Sequence, residues 1–293
     1  MFKGSFVALV TPFTDDGKLD EAAFQALIAW HLASGTDGVV PMGTTGESVT
    51  LSFEEYCRVI DLTVEVAKGK MTIMAGAGSN ATDVAIKYAQ YAKKAKADSL
   101  LVVTPYYNKP QQEGLYQHYK AIHDAVDLPI VLYSVPSRTG VELAIDTVER
   151  LAQLPRIVGI KDATVDLSRP LVMRERIGRD DFSFLSGEDA TVAAYLAQGG
   201  HGCISVTANV APKECADLHK AWQAKDFENF NRLRDWLSPL HRAMFLDTNP
   251  VPAKYALSKM GRCLDRVRLP LVGIHAAARD EVERLLKLRG LID

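Results

Sequence analysis

The strongest constraint on the fold is an alternation of short apolar runs with amphipathic segments that repeats eight times along the chain. The apolar runs are rich in Val, Ile, Leu and Ala, too short for helices, and bounded mostly by Gly, Pro, Thr or Asp, as buried strands are. The predicted strands are Ser5–Pro12, Gly38–Thr44, Thr72–Gly78, Ser99–Tyr106, Pro129–Val135, Ile157–Ala163, Phe182–Gly187 and Gly202–Ala208. Their near-continuous apolar character predicts parallel strands covered on both faces.

Segments with helical periodicity separate these strands. The clearest are Glu21–Ser34, Phe53–Ala67, Ala81–Ala95, Gly114–Ala125, Ile145–Ala152 and Ala190–Gln198. Eight βα units in succession predict an α/β fold of the closed (βα)8, or TIM barrel, type. An open doubly wound sheet would normally have fewer strands and a glycine-rich phosphate turn after its first strand, and no GxGxxG or GxxxxGK[ST] sequence occurs.

After the eighth strand the alternation stops and only helices are predicted. They are Lys213–Ala224, Phe227–Ala243, Pro252–Met260 and Arg279–Arg289. This is more helix than one closing unit requires. We therefore predict a catalytic barrel over residues 1–225 and a C-terminal helical extension over residues 226–293, packed against the barrel or against another subunit.

Charge and hydropathy narrow the possible partners. A formal net charge of -2 and a pI near 6.4 give no basic field for a phosphate backbone, so small molecules are better candidates than nucleic acid. No run approaches the roughly 18 consecutive apolar residues of a membrane helix, and we expect no membrane partner and a cytoplasmic location.

Active sites of such barrels lie at the carboxyl ends of the strands, and the second predicted strand ends in the sequence GTTGES. Its two glycines allow a tight turn, after which the free backbone N–H groups of a starting helix could point at an anion. Thr44 and Thr45 add hydroxyl groups. A plain N-capping turn uses the same residue types and is an equally open interpretation.

The sixth predicted strand places Lys161 directly after four apolar residues. An amine in an apolar pocket is held more easily in its neutral form, and only the neutral amine attacks a ketone to form a Schiff base. The alternative is a structural lysine that extends to the barrel rim and pairs with Asp162.

The fifth predicted strand ends in YSVPSRTG, which places the phenol of Tyr133 at the strand end and the guanidinium of Arg138 on the following loop. Tyr133 could relay protons, and Arg138 has the planar fork that binds a carboxylate through two hydrogen bonds. The fourth strand adds Tyr106 and Tyr107 in the sequence TPYYN. Individually, a core tyrosine and a surface arginine would also explain these residues.

Together, the motifs GTTGES, TPYYN, YSVPSRTG, GIKDAT, LSGED, GGHGCISVTAN and NPVPAKYAL resemble the dihydrodipicolinate synthase family, which consists of pyruvate-dependent class I aldolases, in order, spacing and strand position. The resemblance covers nearly the whole chain. It implies a lyase that condenses pyruvate with aspartate 4-semialdehyde to 4-hydroxy-tetrahydrodipicolinate, on the way to lysine and diaminopimelate, without a metal or organic cofactor. It also implies a homotetramer built as a dimer of dimers.

The resemblance assigns roles residue by residue. Lys161 forms the imine with pyruvate, while Thr44, Tyr133 and Tyr107 form a proton relay in which Tyr107 reaches the neighbouring subunit's site. The remaining positions contact the substrates: Thr45 the carboxylate of pyruvate, Arg138 that of the semialdehyde, and Gly187 and Ile204 the pocket through their backbones. Ser134 departs from the family, which usually has asparagine there, and its shorter side chain puts the asparagine's loop contact in question.

Many family members bind lysine as a feedback inhibitor at a subunit interface. The matching positions here are Ser48, Val49, Phe53, Tyr56, Asn80, Val84 and Tyr106. Phe53 and Tyr56 replace histidines of the lysine-sensitive relatives, and Val84 replaces a glutamate. The resemblance therefore predicts weak or absent inhibition by lysine.

Three rival functions stay open. A sister lyase, such as N-acetylneuraminate lyase or a 2-keto-3-deoxy-sugar-acid aldolase, would share the lysine and the barrel but needs room for a hydroxylated chain where Arg138 offers a charge. A metal-dependent aldolase is disfavoured because the seven histidines form no convincing ligand cluster on the strand ends. A catalytically idle binding barrel would have no need of the complete set of reactive residues.

Overall fold

The computed structural model describes all 293 residues and contains eight short strands. They are β1 (Gly4–Ala8), β2 (Gly38–Val40), β3 (Thr72–Gly76), β4 (Ser99–Val103), β5 (Ile130–Ser134), β6 (Ile157–Asp162), β7 (Ser183–Ser186) and β8 (Gly202–Ser205). The strands form one closed barrel in chain order. The pairings of β1 with β2 and of each strand from β3 to β7 with the next are parallel. The predicted (βα)8 barrel is confirmed.

Helices follow the strands as the alternation predicts. They are α1 (Glu21–Ser34), α2 (Phe53–Ala67), α3 (Thr82–Lys94), α4 (Gln112–Ala125), α5 (Pro136–Thr139), α6 (Ile145–Ala152), α7 (Arg169–Ile177), α8 (Val192–Ala197), α9 (Pro212–Gln223), α10 (Phe227–Ala243), α11 (Val251–Lys259) and α12 (Ala276–Leu288). The chain after β8 is helical, as predicted, whereas a domain boundary at residue 225 stays a prediction. None of the helices is both long enough and apolar enough to cross a lipid bilayer.

The strands end earlier than the apolar runs predict. Every predicted strand continues past the observed carboxyl end, because the last apolar residues already belong to the loops above the barrel. Met42, for example, lies within the second predicted strand but has a left-handed backbone with φ of 59°, which no strand residue adopts. Two candidate site residues, Thr44 and Gly187, are among those misassigned to strands.

Two helices were not among the predicted segments. α5 is a single turn that begins at Pro136 and ends at Gly140, whose φ of 73° suits a glycine cap. α7 carries three arginines in its nine residues, and its buried face includes the side chain of Arg169. A charged residue on the inner face hides the apolar period on which the prediction depends.

Contacts between Cα atoms divide the chain into two compact units. The central unit contains Met1–Lys3 and Ile73–Ile204, and the terminal unit contains Gly4–Thr72 and Ser205–Asp293. In the central unit, Gly159 permits the close approach of β6 to β7, since a Cβ there would lie 2.6 Å from the carbonyl oxygen of Ser183. In the terminal unit, α2 begins with a capping box formed by Ser52 and Glu55.

Candidate active site

Lys161 lies at the carboxyl end of β6, where only 6% of the residue is exposed. The strand register places it beside Tyr133 of β5 and Leu185 of β7. Its Nζ lies 4.3 Å from the centre of the Tyr133 ring, and it makes no ion pair or hydrogen bond with the chain. An amine that no carboxylate or carbonyl group engages is available as a nucleophile toward a carbonyl carbon.

Asp162 does not pair with Lys161, although the two residues are adjacent in sequence. Successive residues of a strand point to opposite faces, and the Asp162 carboxylate accepts hydrogen bonds from Arg169 Nε at 2.8 Å and from the Thr164 hydroxyl at 2.6 Å. Arg169 also donates to Glu142 and to the carbonyl of Leu143. The interpretation of Lys161 as half of a structural ion pair with Asp162 is therefore wrong.

Gly187 follows β7 and lies against the stem of Lys161. A Cβ at this position would be 2.7 Å from the Cβ of Ala163, closer than such carbons approach each other, and 3.1 Å from Lys161 Cε, a tight contact. The Gly187 N–H donates to the carbonyl of Asp162 at 2.7 Å. The missing side chain therefore leaves the space in which the lysine chain lies, and Ile204 at the end of β8 is fully buried in the same unit.

Glu188 is a half-buried acidic residue whose carboxyl group responds to the charge of Lys161. Burial raises the pKa of the Glu188 carboxyl above its usual range, and the charge of Lys161 acts in the opposite direction. The carboxylate also accepts a hydrogen bond from the Ala190 N–H at 3.1 Å. Glu188 belongs to the LSGED motif, but the sequence predicted no role for it.

The single-turn helix α5, which follows β5, presents Arg138 to solvent. Its guanidinium is exposed and makes no hydrogen bond or ion pair with the chain, so it is available to a ligand carboxylate. Ser134 at the end of β5 is buried, and its hydroxyl oxygen accepts a hydrogen bond from the Leu143 N–H at 3.2 Å. The serine thus keeps a loop contact despite being shorter than asparagine.

Tyr107 is the most exposed aromatic residue at the strand ends, with 89% of its surface accessible. Its left-handed backbone belongs to a loop in which Asn108 Nδ2 donates to the carbonyl of Asn80 at 2.8 Å. The hydroxyls of Thr44, Tyr107 and Tyr133 make no hydrogen bond within the chain. The proton relay formed by these three residues stays a prediction.

In the terminal unit, Thr44 and Thr45 lie on a tight turn after β2. Gly46, Glu47 and Ser48 donate their backbone N–H groups to carbonyls of Gly43 and Thr44 within the turn. The N–H groups of Thr44 and Thr45 have no such partner. Free donors for an anion are thus present, but they come from the turn, because α2 begins only at Phe53.

The turn is fixed by a buried ionic network that sequence reasoning missed. Glu47 Oε1 accepts a hydrogen bond from Lys254 Nζ at 2.5 Å, and Oε2 accepts one from the Arg268 N–H at 2.9 Å. The guanidinium of Arg268 in turn pairs with Glu55. The only sequence signal for this network was that GTTGES and NPVPAKYAL both belong to the family pattern.

The residues predicted from lysine-sensitive relatives are divided between the two units. In the terminal unit, Ser48 and Val49 belong to a short 3-10 turn, and the rings of Phe53 and Tyr56 stack with centroids 6.2 Å apart. In the central unit, Asn80 and Tyr106 are half-buried and Val84 is exposed. None of these side chains carries a formal charge, and no group of three or more His, Cys, Asp or Glu residues in the chain is arranged as a metal site.

A closed (βα)8 barrel with a buried, unpaired lysine at the carboxyl end of its sixth strand defines a barrel of the lysine-dependent aldolase class. Residues 1–289 match the dihydrodipicolinate synthetase family, and the chain belongs to that family. It is 58% identical over 292 residues, spanning all of both chains, to 4-hydroxy-tetrahydrodipicolinate synthase of Rhodospirillum centenum.

Solved structures agree with this assignment. The dihydrodipicolinate synthase of Acinetobacter baumannii complexed with pyruvate is 44% identical, covers all of both chains and superposes with a TM-score of 0.96. The enzyme of Cyanidioschyzon merolae with lysine bound is 35% identical, covers 99% of both chains and has a TM-score of 0.95. The family resemblance in the sequence motifs is confirmed.

Proposed function

We propose that this protein condenses pyruvate with aspartate 4-semialdehyde to 4-hydroxy-tetrahydrodipicolinate through a Schiff base at Lys161. The observation that carries the proposal is the burial of Lys161 without a counter-ion beside the Tyr133 ring. Full-length relatives named for this reaction, and a related structure complexed with pyruvate, support the choice of substrates.

In the proposed reaction, Lys161 Nζ attacks the ketone carbon of pyruvate, and the carbonyl oxygen leaves as water to give the imine. Loss of a methyl proton converts the imine to an enamine, whose carbon attacks the aldehyde of the second substrate. The amino group of that substrate then attacks the imine carbon, which closes the ring and releases Lys161. Thr44, Tyr133 and Tyr107 would move these protons.

Each substrate carboxylate requires its own donors. The free N–H groups of Thr44 and Thr45, together with the Thr45 hydroxyl, suit the small carboxylate of pyruvate. The exposed, unpaired guanidinium of Arg138 suits the carboxylate of the semialdehyde. Gly187 and Ile204 would line the pocket through their backbones, and no cofactor enters the proposed chemistry.

The deciding experiment is a coupled assay of the purified protein with pyruvate and aspartate 4-semialdehyde, run beside N-acetylneuraminate and 2-keto-3-deoxy-sugar acids. We expect turnover with the semialdehyde, and borohydride with pyruvate should inactivate the enzyme and label Lys161 alone. Faster turnover of a sugar acid would favour the sister lyases. Labelling of another lysine would remove the assignment of Lys161, and no turnover at all would indicate an idle binding barrel.

Arg138→Ala should separate the two substrates. Loss of a bidentate carboxylate contact worth about 1.5–3 kcal/mol predicts a roughly ten- to hundredfold loss in kcat/KM for the semialdehyde. Pyruvate imine formation, measured by borohydride trapping, should stay near the wild-type level. A matched control is Arg174→Ala, which removes another exposed arginine from α7. Loss of imine formation in Arg138→Ala would assign Arg138 to pyruvate instead.

The proposed assembly is a cytoplasmic homotetramer, a dimer of dimers in which Tyr107 completes a neighbouring site. The support within the chain is the near-complete exposure of this aromatic ring on a constrained loop. Mixed Tyr107→Ala and Lys161→Ala subunits should regain activity on exchange, because each supplies what the other lacks. A fully active monomer in sedimentation at assay concentration would contradict the assembly.

A further inference from the structure

The turn that carries Thr44 and Thr45 has a backbone that its own residues do not favour. Glu47 has φ of 53° and Met42 has φ of 59°, and left-handed conformations are disfavoured for residues with a long side chain. Three hydrogen bonds between backbone groups of residues 43–48 close the turn, but they do not explain why it keeps this shape. Contacts from outside the turn must hold it.

Those contacts come from the segment that contains α11. Lys254 is fully buried, its Nζ donates to Glu47 Oε1 at 2.5 Å and to the carbonyl of Arg266 at 2.6 Å, and it lies 4.0 Å from the centre of the Phe13 ring. Both oxygens of the buried Glu47 carboxylate are bonded, since the second accepts from the N–H of Arg268. The ion pair thus fixes one of the two residues of the turn that have a left-handed backbone.

A second contact reaches a proposed substrate-binding group directly. Asn249, two residues before α11, is buried, and its Nδ2 donates to the hydroxyl oxygen of Thr45 at 3.0 Å. Its Oδ1 has no hydrogen-bond partner in the chain. Thr45 is also buried, so its side chain has few accessible rotamers.

The direction of this hydrogen bond decides what the Thr45 hydroxyl offers a ligand. A threonine hydroxyl has one proton to donate and two lone pairs that accept. When Asn249 donates, it occupies a lone pair and leaves the proton for another acceptor. A carboxylate is such an acceptor and cannot donate. We infer that Asn249 is a positioning residue that keeps the Thr45 hydroxyl a donor toward the carboxylate of the 2-oxo acid substrate, on a turn held by Glu47 and Lys254.

This inference rests on the proposed function and adds a polarity requirement to it. Asn249→Asp has nearly the same shape as the wild-type side chain but can only accept at neutral pH. The aspartate would accept the hydrogen bond that the Thr45 hydroxyl otherwise donates to the substrate. It would also place a negative charge beside the substrate carboxylate. Packing alone predicts that Asn249→Asp is milder than Asn249→Ala, whereas the polarity requirement predicts that it is the more damaging change.

The experiment measures the pyruvate concentration that gives half-maximal borohydride trapping, together with kcat at saturating substrates and the melting temperature. We expect Asn249→Ala to raise that concentration about three- to tenfold, as for one lost hydrogen bond, and Asn249→Asp to raise it roughly ten- to hundredfold. Because positioning concerns binding, kcat at saturation should change less than threefold. Asn209→Asp, which alters a buried asparagine bonded only to backbone groups, controls for lost stability.

A double-mutant cycle completes the test, because an effect exerted through Thr45 must vanish when its hydroxyl is absent. In the Thr45→Val background, Asn249→Ala should therefore leave pyruvate binding unchanged. Equal effects of Asn249→Ala in both backgrounds, or normal pyruvate binding by Asn249→Asp, would overturn the inference. Should Asn249→Asp fail to fold, the Ala cycle still decides the question. Absence of a pyruvate imine in the wild-type protein would instead refute the proposed function.

Discussion

Lys161 and Lys254 are both buried lysines, and they differ in what surrounds the ammonium group. Lys254 is matched by the Glu47 carboxylate and a carbonyl oxygen, while Lys161 has neither and lies beside an aromatic ring. Burial lowers the pKa of Lys254, and Glu47 opposes that shift. A fully compensated cation is a structural link, whereas an uncompensated amine is free to react. Burial of a lysine alone therefore does not identify a nucleophile. The presence or absence of acceptors for the ammonium group distinguishes a structural lysine from a candidate nucleophile.

The largest effect should follow the loss of the uncompensated lysine. Lys161→Met removes the group that forms the imine and should reduce turnover about a thousandfold or more. Because no carboxylate loses an ion pair or a hydrogen bond with this lysine, the melting temperature should stay close to the wild-type value. Turnover assays and thermal unfolding of Lys161→Met and of the surface control Lys287→Met measure both. Residual turnover within tenfold of wild type would show that Lys161 is not the nucleophile.

The matched change at the compensated lysine should have the opposite signature. Lys254→Met leaves the buried Glu47 carboxylate without its cation, which is expected to lower the free energy of unfolding by about 3–5 kcal/mol. Adding Glu47→Gln should recover part of this loss, since the charge is then gone. Urea unfolding of the two variants checks the prediction. Equal stabilities of Lys254→Met and Lys161→Met would remove the distinction between the two lysines.

A smaller effect is expected from crowding Lys161 without removing it. Gly187→Ala brings a methyl group within 3.1 Å of Lys161 Cε and 2.7 Å of the Ala163 Cβ, so the lysine chain must move. Misplacement of a reacting group by about 1 Å can lower the rate of imine formation roughly ten- to hundredfold. Stopped-flow trapping with pyruvate measures this rate. Gly273→Ala is the control, because a Cβ there meets nothing within 4 Å.

The smallest effect concerns lysine as a free ligand. Its ammonium needs a partner such as Glu47 provides for Lys254, and the positions predicted from lysine-sensitive relatives offer Phe53, Tyr56 and Val84 instead of ionisable groups. We expect less than half inhibition at about 1 mM lysine, the concentration that corresponds to roughly 4 kcal/mol of binding. A lysine titration at saturating substrates checks this. Stronger inhibition would mean that another acidic residue supplies the charge.

The sequence predicted the barrel because its information is local and repeated. Each βα unit carries its own apolar period, and several helices, such as α1 and α2, begin and end where the period predicts. The sequence indicated which residues lie near the strand ends, but it did not predict the backbone conformation of the loops there. The left-handed backbones of Met42 and Tyr107 depend on contacts from other segments, which no local pattern contains.

The site residues show the same difference between local patterns and contacts from distant segments. The position of Lys161 after four apolar residues made it a candidate within a single strand, and the resemblance to the family assigned it the imine. Lys254 lies in a helix of ordinary composition and Asn249 in the turn before it, and neither was predicted because their partners Glu47 and Thr45 are more than two hundred positions away. Charge compensation between distant residues is a property of the tertiary structure.

The link between Glu47 and Lys254 has a consequence for how such chains can diverge. The two residues are separated by 207 positions, yet each can stay buried only while the other is present. A buried charge without its partner destabilises the folded protein. A lineage that loses one must lose the other almost at once, through an intermediate that folds poorly. Descendants should therefore show the two positions changing together, and a chimera that joins the first quarter of one homologue to the last quarter of another should fold only when the pair is inherited from compatible parents.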